Sequence, residues 1–293
     1  MMFERFDTRD VAVNGTVIRC RVGGSGPALL LLHGHPQSHV MWHRVAPTLA
    51  EKFTVVCADL RGYGDSARPG ASPHHAAYSK RTMAQDMADL MTSLGFQQFR
   101  LAAHDRGARV AHRLLLDHPD RVQRAMLLDI APTLAMYEQT TQAFAKAYWH
   151  WFFLIQPAPL PERLIDADPA AYIRDVMGRR HAGLAAFAPE ALQQYLRCIA
   201  IPRTATSICE DYRASAGIDL EHDRADRAKG HQVVAPLRVL WGAEGAVGRC
   251  FPVLDLWRQA ATEVSGKALD CGHYIAEEQP AKLLEEMAEF FAI

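Results

Sequence analysis

Short apolar runs alternate along the chain with segments of helical periodicity. The run Ala28–Leu32 is apolar at every position, which is typical of a strand buried on both faces of a parallel sheet. Comparable runs follow at 54–58, 99–103, 125–128, 237–241 and 267–269. Apolar residues recur at helical spacing in the segments 81–94, 106–116 and 281–291. Strands that alternate with helices predict a mainly parallel sheet with helices on both faces.

A hairpin pattern precedes this alternating region. Residues 11–13 and 16–22 are two segments typical of strands, and Asn14-Gly15 between them suits the positive φ angles of a type I′ turn. With these two strands, we predict a sheet of eight strands.

One long stretch breaks the alternation. From about 133 to 231 no strand pattern occurs, and the helical patches are interrupted by prolines. Because so long a stretch is not a loop in a compact domain, we expect a helical insertion. Open α/β sheets bind ligands beyond the carboxyl ends of their strands, where this insertion is expected to lie. We therefore predict a core of residues 1–132 and 232–293 and a helical cap of residues 133–231.

The composition excludes several classes of protein. The 293 residues are 49% hydrophobic and 22% charged, as in an ordinary globular protein. The chain holds 32 Lys and Arg against 33 Asp and Glu, a formal net charge of −1. Without a charge excess it has no broad attraction for nucleic acid or anionic lipid. We expect neither as a partner, and any bound anion must be held by a few local arginines.

The amino terminus and the cysteines indicate the compartment. Glu4 and Asp7 stand where a signal peptide needs a basic flank and an apolar run. The apolar runs are far shorter than the ~18 residues of a spanning helix. Six cysteines lie far apart, which favours reduced, mostly buried thiols over disulfides or zinc ligands. We expect a soluble cytoplasmic protein with no metal site and no cofactor.

The strongest chemical signal follows the run at 99–103. There a predicted strand leads into A-H-D-R-G at 103–107 and directly into a helix, which is the spacing of a nucleophile elbow. Ala103 and Gly107 occupy the small positions, and Asp105 occupies the position of the nucleophile. The alternative is that Asp105 simply caps the helix, a common role for aspartate.

Two further segments favour the elbow. Residues 33–36 follow the first buried strand, the position from which α/β-hydrolases supply one amide of the oxyanion hole. His273 follows the last predicted strand, and the chain order nucleophile, acid, histidine is that of the same fold. We therefore predict Asp105 as the nucleophile and His273 as the catalytic base.

Two residues could be the acid that orients His273. Asp129 ends the strand at 125–128, and Glu244 follows the strand that ends at Trp241. Either carboxylate could stabilise the imidazolium, and position alone does not choose between them. Asp59, in contrast, stands among turn glycines and is predicted to shape a loop.

Four segments together resemble one known enzyme family. They are H-D-R-G-A-R at 104–109, Y-W-H-W-F-F-L at 148–154, Q-P-A-P-L-P-E at 156–162 and C-E-D-Y-R-A at 209–214. In these segments the chain resembles the fluoroacetate dehalogenases, haloacetate-hydrolysing members of the α/β-hydrolase superfamily. The similarity covers nearly the whole chain, and the D-R-x-x-R run with the H-W pair is much more specific than the elbow alone. It implies the α/β-hydrolase fold with a helical cap, and hydrolysis of small 2-haloacids such as fluoroacetate or chloroacetate.

The resemblance implies roles for the acid and for two arginines. Asp129 becomes the acid, with Glu244 in second place. Arg106 and Arg109 would bind the substrate carboxylate, for which forked guanidinium donors are suited. Arg109 lies one helical turn beyond Asp105, so both cations can reach one pocket and keep that carboxylate ionised.

The resemblance also implies a halide site and an oxyanion hole. Fluoride departs only with donors aimed at it, and His150, Trp151 and Tyr212 match the family's halide-binding residues. The backbone N–H groups of His35 and Arg106 would hold the oxyanion during ester hydrolysis. A homodimer is implied as well.

Two positions depart from the family pattern. His35 stands where family members have Phe, and near 177–181, where some members have a cap Trp, this sequence has Arg179. Both changes affect the expected preference for fluorinated substrates more than the class of reaction.

Two other functions compete with dehalogenation. Epoxide hydrolases also use an aspartate nucleophile, but they usually follow it with Trp and activate the epoxide with two cap tyrosines. Arg106 and the His150-Trp151 pair argue against that reaction. A catalytically silent receptor for small molecules is a third function, against which the set of Asp105, Asp129 and His273 argues.

Overall fold

A computed structural model describes residues 2–291 and contains the predicted eight-stranded sheet within them. The strands are β1 (Phe6–Val13), β2 (Thr16–Gly23), β3 (Ala28–Leu32), β4 (Thr54–Ala58), β5 (Phe99–His104), β6 (Val122–Leu128), β7 (Leu237–Gly242) and β8 (Val264–Leu269). Their order across the sheet is β1-β2-β4-β3-β5-β6-β7-β8. The predicted α/β-hydrolase fold is therefore confirmed, with β3 and β5 at the centre of the sheet.

The sheet is parallel except at one edge. β1 and β2 form the predicted hairpin, in which Asn14 and Gly15 both take positive φ angles of 43° and 71°. β2 joins β4 antiparallel, and all later neighbours pair parallel. All five residues of β3 are buried, because helices cover both faces of the sheet there.

Helices connect the strands and fill the long interval between β6 and β7. The α-helices outside that interval are α1 (Ala46–Leu49), α2 (Lys80–Ser93), α3 (Asp105–Asp117), α12 (Ala246–Cys250), α13 (Val253–Ala260), α14 (Ile275–Glu278) and α15 (Pro280–Phe291). Inside it lie α4 (Thr133–Glu138), α5 (Gln142–Ala147), α6 (Trp149–Leu154), α7 (Leu160–Ala167), α8 (Pro169–Gly178), α9 (Pro189–Ile199), α10 (Thr204–Ala216) and α11 (Ile218–Ala228). Three short 3₁₀ turns cover His39–Trp42, Pro73–Tyr78 and Gly183–Ala186.

The helices α4 to α11 place aromatic and charged side chains over the core. α10 packs against the Pro73–Tyr78 turn of the core and against α6 and α7. The division into a core of residues 1–132 and 232–293 and a cap of residues 133–231 stays a prediction. Within residues 2–291, no helix combines the length and the apolar character needed to cross a membrane.

Two strands begin earlier than their apolar runs suggested. β8 starts at Val264 rather than at residue 267, and β6 starts at Val122 rather than at 125. β8 lies at the edge of the sheet, where residues alternate between partly buried and exposed positions. A search for continuous apolar runs therefore finds only its inner end.

Candidate active site

Asp105 lies at a strained turn between β5 and α3. Its φ angle of 45° is a left-handed value that non-glycine residues rarely adopt, as expected at a nucleophile elbow. The turn is tight enough to require glycine nearby. A Cβ atom on Gly107 would lie 2.3 Å from the carbonyl oxygen of His33, and one on Gly34 would lie 2.4 Å from the Asp105 Cβ. The small neighbours of the motif thus let the backbone approach closely and aim Asp105 into the site.

The Asp105 side chain faces the site and does not cap the helix. His104 is the N-cap residue of α3, and an Asp105 carboxylate oxygen accepts a hydrogen bond from the backbone N–H of His35 at 2.9 Å. Burial by itself raises the pKa of Asp105. The surrounding imidazole and guanidinium groups, of which His273 has the largest effect, lower the pKa of Asp105 below its ordinary value. The carboxylate is therefore ionised and ready to act as a nucleophile.

Asp129, and not Glu244, is the carboxylate beside His273. The Asp129 Oδ2 atom lies 2.5 Å from the His273 Nδ1, and its Oδ1 accepts the Gly242 N–H at 3.0 Å. Glu244 is exposed to solvent. The His273 carbonyl accepts a hydrogen bond at 2.9 Å from the Nε2 of His104, whose pKa burial lowers to about 3. Contacts to both its side chain and its backbone thus hold the His273 imidazole in place.

Arg106 is fully buried and is held by a carboxylate that the sequence analysis did not single out. Its Nε and Nη2 atoms both donate to the Asp211 carboxylate at 2.9 Å, and Nη2 also donates to Ser215. Asp211 further accepts a 2.6 Å bond from Tyr63 and pairs with Lys80. The Arg106 Nη1 atom remains buried without a partner. The only sequence signal for Asp211 was its place next to Tyr212.

Arg109 is buried in a different manner. Its Nη1 atom donates to the hydroxyl of Thr133 at 2.8 Å and to the carbonyl of Ala131 at 3.3 Å, whereas Nε has no hydrogen-bond partner. Within the described residues no carboxylate oxygen lies within 4 Å of this guanidinium. A buried cation that lacks a counter-charge is costly unless a ligand supplies one. Arg109 is therefore suited to bind an anion.

The three predicted halide-binding residues come together on α6 and α10. His150, Trp151 and Tyr212 are all buried, and the Trp151 Nε1 and Tyr212 hydroxyl donors lack hydrogen-bond partners. Burial holds the pKa of His150 well below its ordinary value, so its neutral ring donates one N–H. Buried polar groups are normally satisfied, and unpartnered donors in one place indicate a ligand.

Each of the two arginines predicted to bind the substrate carboxylate also lies over one of these rings. The Arg106 guanidinium carbon is 4.1 Å from the Tyr212 ring centre, and that of Arg109 is 4.6 Å from the Trp151 ring centre. Such cation–π contacts fix both guanidinium planes against the cap. The two residue groups predicted for carboxylate and halide thus share one buried site.

The two departures from the family pattern differ in position. The His35 ring lies inside the site, where it stacks on His150 with ring centres 6.0 Å apart and shares a 2.9 Å hydrogen bond with the Tyr172 hydroxyl. Arg179 lies outside, paired with Asp175 and largely exposed. The arginine that faces the site is Arg180, which the sequence analysis did not single out.

Other candidate polar residues have structural roles. Asp59 accepts hydrogen bonds from the backbone N–H groups of His39 and Asp65, at 2.7 and 2.9 Å, and so shapes its loop. Across residues 2–291, no group of three or more His, Cys, Asp or Glu side chains is placed to hold a metal ion.

Comparison with protein families matches residues 27–279 to the model of the α/β hydrolase fold. The chain is 45% identical to a fluoroacetate dehalogenase from Burkholderia sp, over 99% of this chain and 95% of the relative. It is 32% identical to a soluble epoxide hydrolase from Corynebacterium sp. strain C12, over 96% and 95% of the two chains.

Comparison with solved structures supports the same grouping. A crystal structure from Nostoc sp PCC 7120, provisionally named an α/β hydrolase, superimposes with a TM-score of 0.97. It is 51% identical in sequence, and the match covers 99% of both chains.

Proposed function

Because this chain belongs to the α/β-hydrolase family, we propose that it hydrolyses small 2-haloacids, such as fluoroacetate and chloroacetate, through an ester on Asp105. One observation carries the proposal: the buried Arg109 guanidinium, which has no carboxylate oxygen within 4 Å among the described residues, lies 4.6 Å from the ring centre of Trp151, one of the proposed halide donors. An anionic substrate would supply the missing counter-charge. The 45% identity to a fluoroacetate dehalogenase supports the same reaction.

In the first step, the substrate carboxylate binds the free guanidinium nitrogens of Arg106 and Arg109. An Asp105 oxygen then bonds to the carbon that carries the halogen, and the halide leaves with the electron pair of the broken bond. The N–H groups of His150 and Trp151 and the hydroxyl of Tyr212 donate to the departing halide. These donors act where charge develops, among buried side chains.

In the second step, His273 removes a proton from water, and the resulting hydroxide attacks the carbonyl carbon of the Asp105 ester. Asp129 orients the imidazole and stabilises its cation. The oxyanion is held by the backbone N–H groups of His35 and Arg106, a role that the hydrogen bond from the His35 N–H to Asp105 supports. Each turnover converts haloacetate and water into glycolate, halide and a proton.

Epoxide hydrolysis is the second candidate. The 32% identical epoxide hydrolase favours it, as do the unpartnered hydroxyls of Tyr148 and Tyr212, which could donate to an epoxide oxygen. An epoxide is neutral, however, and would leave the Arg109 charge buried without compensation. A silent receptor would bind the same anions without turnover, which the arrangement of Asp105, Asp129 and His273 disfavours.

The test is a substrate panel. Halide release is measured with fluoroacetate, chloroacetate and 2-chloropropionate, and diol formation is measured with styrene oxide. We expect continuous halide release from at least one haloacid and no diol. Diol formation without halide release would assign the site to epoxides, and binding without turnover of any compound would indicate a receptor.

A further inference from the structure

We propose that Arg180 and Tyr148 form a second anion-binding subsite, which takes the distal carboxylate of a 2-halodicarboxylic acid. This inference rests on the proposed function, because it names a substrate class for the same site. Arg106 and Arg109 would hold the carboxylate next to the halogenated carbon, and Arg180 would hold the other one.

The Arg180 guanidinium faces the reaction centre. Its central carbon lies 4.6 Å from the centre of the Tyr148 ring. Burial by itself lowers the pKa of Arg180, but the neighbouring Tyr148 and Tyr274, followed by Asp105 and Asp129, raise it above its ordinary value. Among residues 2–291, no carboxylate oxygen lies within 4 Å of it, so the Arg180 charge forms no ion pair there.

The neighbouring Arg179 has the opposite environment. Its side chain is 71% exposed and forms an ion pair with Asp175 one helical turn earlier. Two consecutive residues just after α8 thus carry the same charge, but of the two only Arg180 lies over a ring of the site. Arg179 is therefore a matched control for any long-range effect of charge.

Tyr148 supplies the second donor of the subsite. The residue is only 1% exposed, and its hydroxyl has no hydrogen-bond partner. Its ring centre lies 5.3 Å from that of His150 and 6.3 Å from that of His273. A buried hydroxyl donor beside an unpaired guanidinium needs an acceptor, and a carboxylate supplies the oxygens and the charge.

The subsite is separate from the first anchor. Arg106 lies over Tyr212 and Arg109 lies over Trp151, whereas Arg180 lies over Tyr148, whose ring centre is 6.3 Å from that of His273. A haloacetate cannot engage both anchors with its single carboxylate, but a four-carbon 2-halodicarboxylate has one for each. The chemistry is unchanged: Asp105 bonds to carbon 2, the halide leaves with the bonding electrons, and water releases the 2-hydroxydicarboxylate and a proton.

The test compares kcat/KM for 2-chlorosuccinate, chloroacetate and 2-chlorobutanoate, which has the same chain length without the second charge. In R180Q, the ratio of kcat/KM for chlorosuccinate to that for chloroacetate should fall about 30-fold, as expected for loss of one charged contact. R180K should restore part of the ratio. R179Q should keep the wild-type ratio of kcat/KM for chlorosuccinate to that for chloroacetate. In R180Q, the ratio of kcat/KM for 2-chlorobutanoate to that for chloroacetate should stay at the wild-type value or above it.

Two results would overturn the subsite while the proposed function stands. One is turnover of chloroacetate but not of chlorosuccinate by the wild-type protein. The other is an equal loss on all three substrates in a folded R180Q variant. If no haloacid releases halide and none forms an ester on Asp105, the proposed function itself fails, so the two failures are distinguishable.

Discussion

The Nε2 atom of His273 lies 4.0 Å from a carboxylate oxygen of Asp105, which is longer than a hydrogen bond. This separation suits the proposed chemistry, because an ionised carboxylate needs no base before it attacks carbon. The imidazole is instead held by Asp129 for a later step, the activation of water. In the proposed mechanism, nucleophile and base therefore serve different steps, which mutation should separate.

Substitution of the nucleophile should abolish turnover without unfolding the protein. D105N replaces the carboxylate by a neutral amide, which is a poor nucleophile toward saturated carbon. We expect no halide release above background and a thermal unfolding transition close to that of the wild type. Turnover near the wild-type rate, in protein checked by mass spectrometry for deamidation, would remove Asp105 from the mechanism.

Substitution of the base should trap the ester. H273N retains the nucleophile, the arginine anchors and the halide donors, but it cannot activate water. Mixed with chloroacetate, it should release about one halide per site and then stall, with one carboxymethyl group on the peptide that contains Asp105. H231N, a change at an exposed histidine, should turn over continuously. Continuous turnover by H273N, or an adduct on another residue, would contradict the mechanism.

Removal of the unpaired arginine should weaken substrate binding. R109L deletes the buried guanidinium that lacks a carboxylate partner among residues 2–291, so KM for chloroacetate should rise and kcat/KM should fall. The loss corresponds to about 2–4 kcal/mol for a desolvated charge-assisted contact. R258L, at an exposed arginine paired with Asp255, is the control and should match the wild type. Unchanged kinetics in R109L would exclude Arg109 from the site.

The elbow should tolerate no side chain at Gly107. In G107A the new Cβ would lie 2.3 Å from a backbone oxygen of His33, so β3 and α3 must separate. We expect a loss of about 2–4 kcal/mol in the free energy of unfolding, measured in urea. G178A is the control, because the same Cβ there makes its nearest contact at 3.4 Å with a flexible leucine. Equal stability of the two variants would contradict a steric requirement at the elbow.

The buried Glu277 should make stability depend on pH. Burial raises the pKa of Glu277 from 4.5 to about 7, so the folded protein binds this proton more tightly than the unfolded chain does. Stability therefore falls as pH rises from 4.5 to about 7. E277Q should lack this fall, and wild type should lose about 2 kcal/mol relative to E277Q between pH 5 and 7.5. If the free energy of unfolding in urea had the same pH dependence in the wild type and in E277Q, Glu277 would not be the source of this pH dependence.

Local features of the sequence were enough for the fold and for the elbow. Apolar runs marked the central strands because parallel strands buried on both faces admit few polar residues. Asn14-Gly15 predicted its turn because both residues tolerate positive φ. Ala103 and Gly107 marked the elbow for a related reason, since a tight turn restricts side-chain size over a few adjacent positions.

Only the tertiary structure decided which polar groups meet. Asp129 and Glu244 follow adjacent strands. The tertiary structure decides between them, because the Gly242 N–H at the end of β7 donates to Asp129, whereas Glu244 is exposed to solvent. Asp211 reaches Arg106 from a helix that comes more than a hundred residues later. Arg179 and Arg180 are identical neighbours in sequence, yet in the turn that follows α8 one is exposed beside Asp175 and the other lies over the Tyr148 ring. Such contacts depend on packing between distant segments, which no local pattern records.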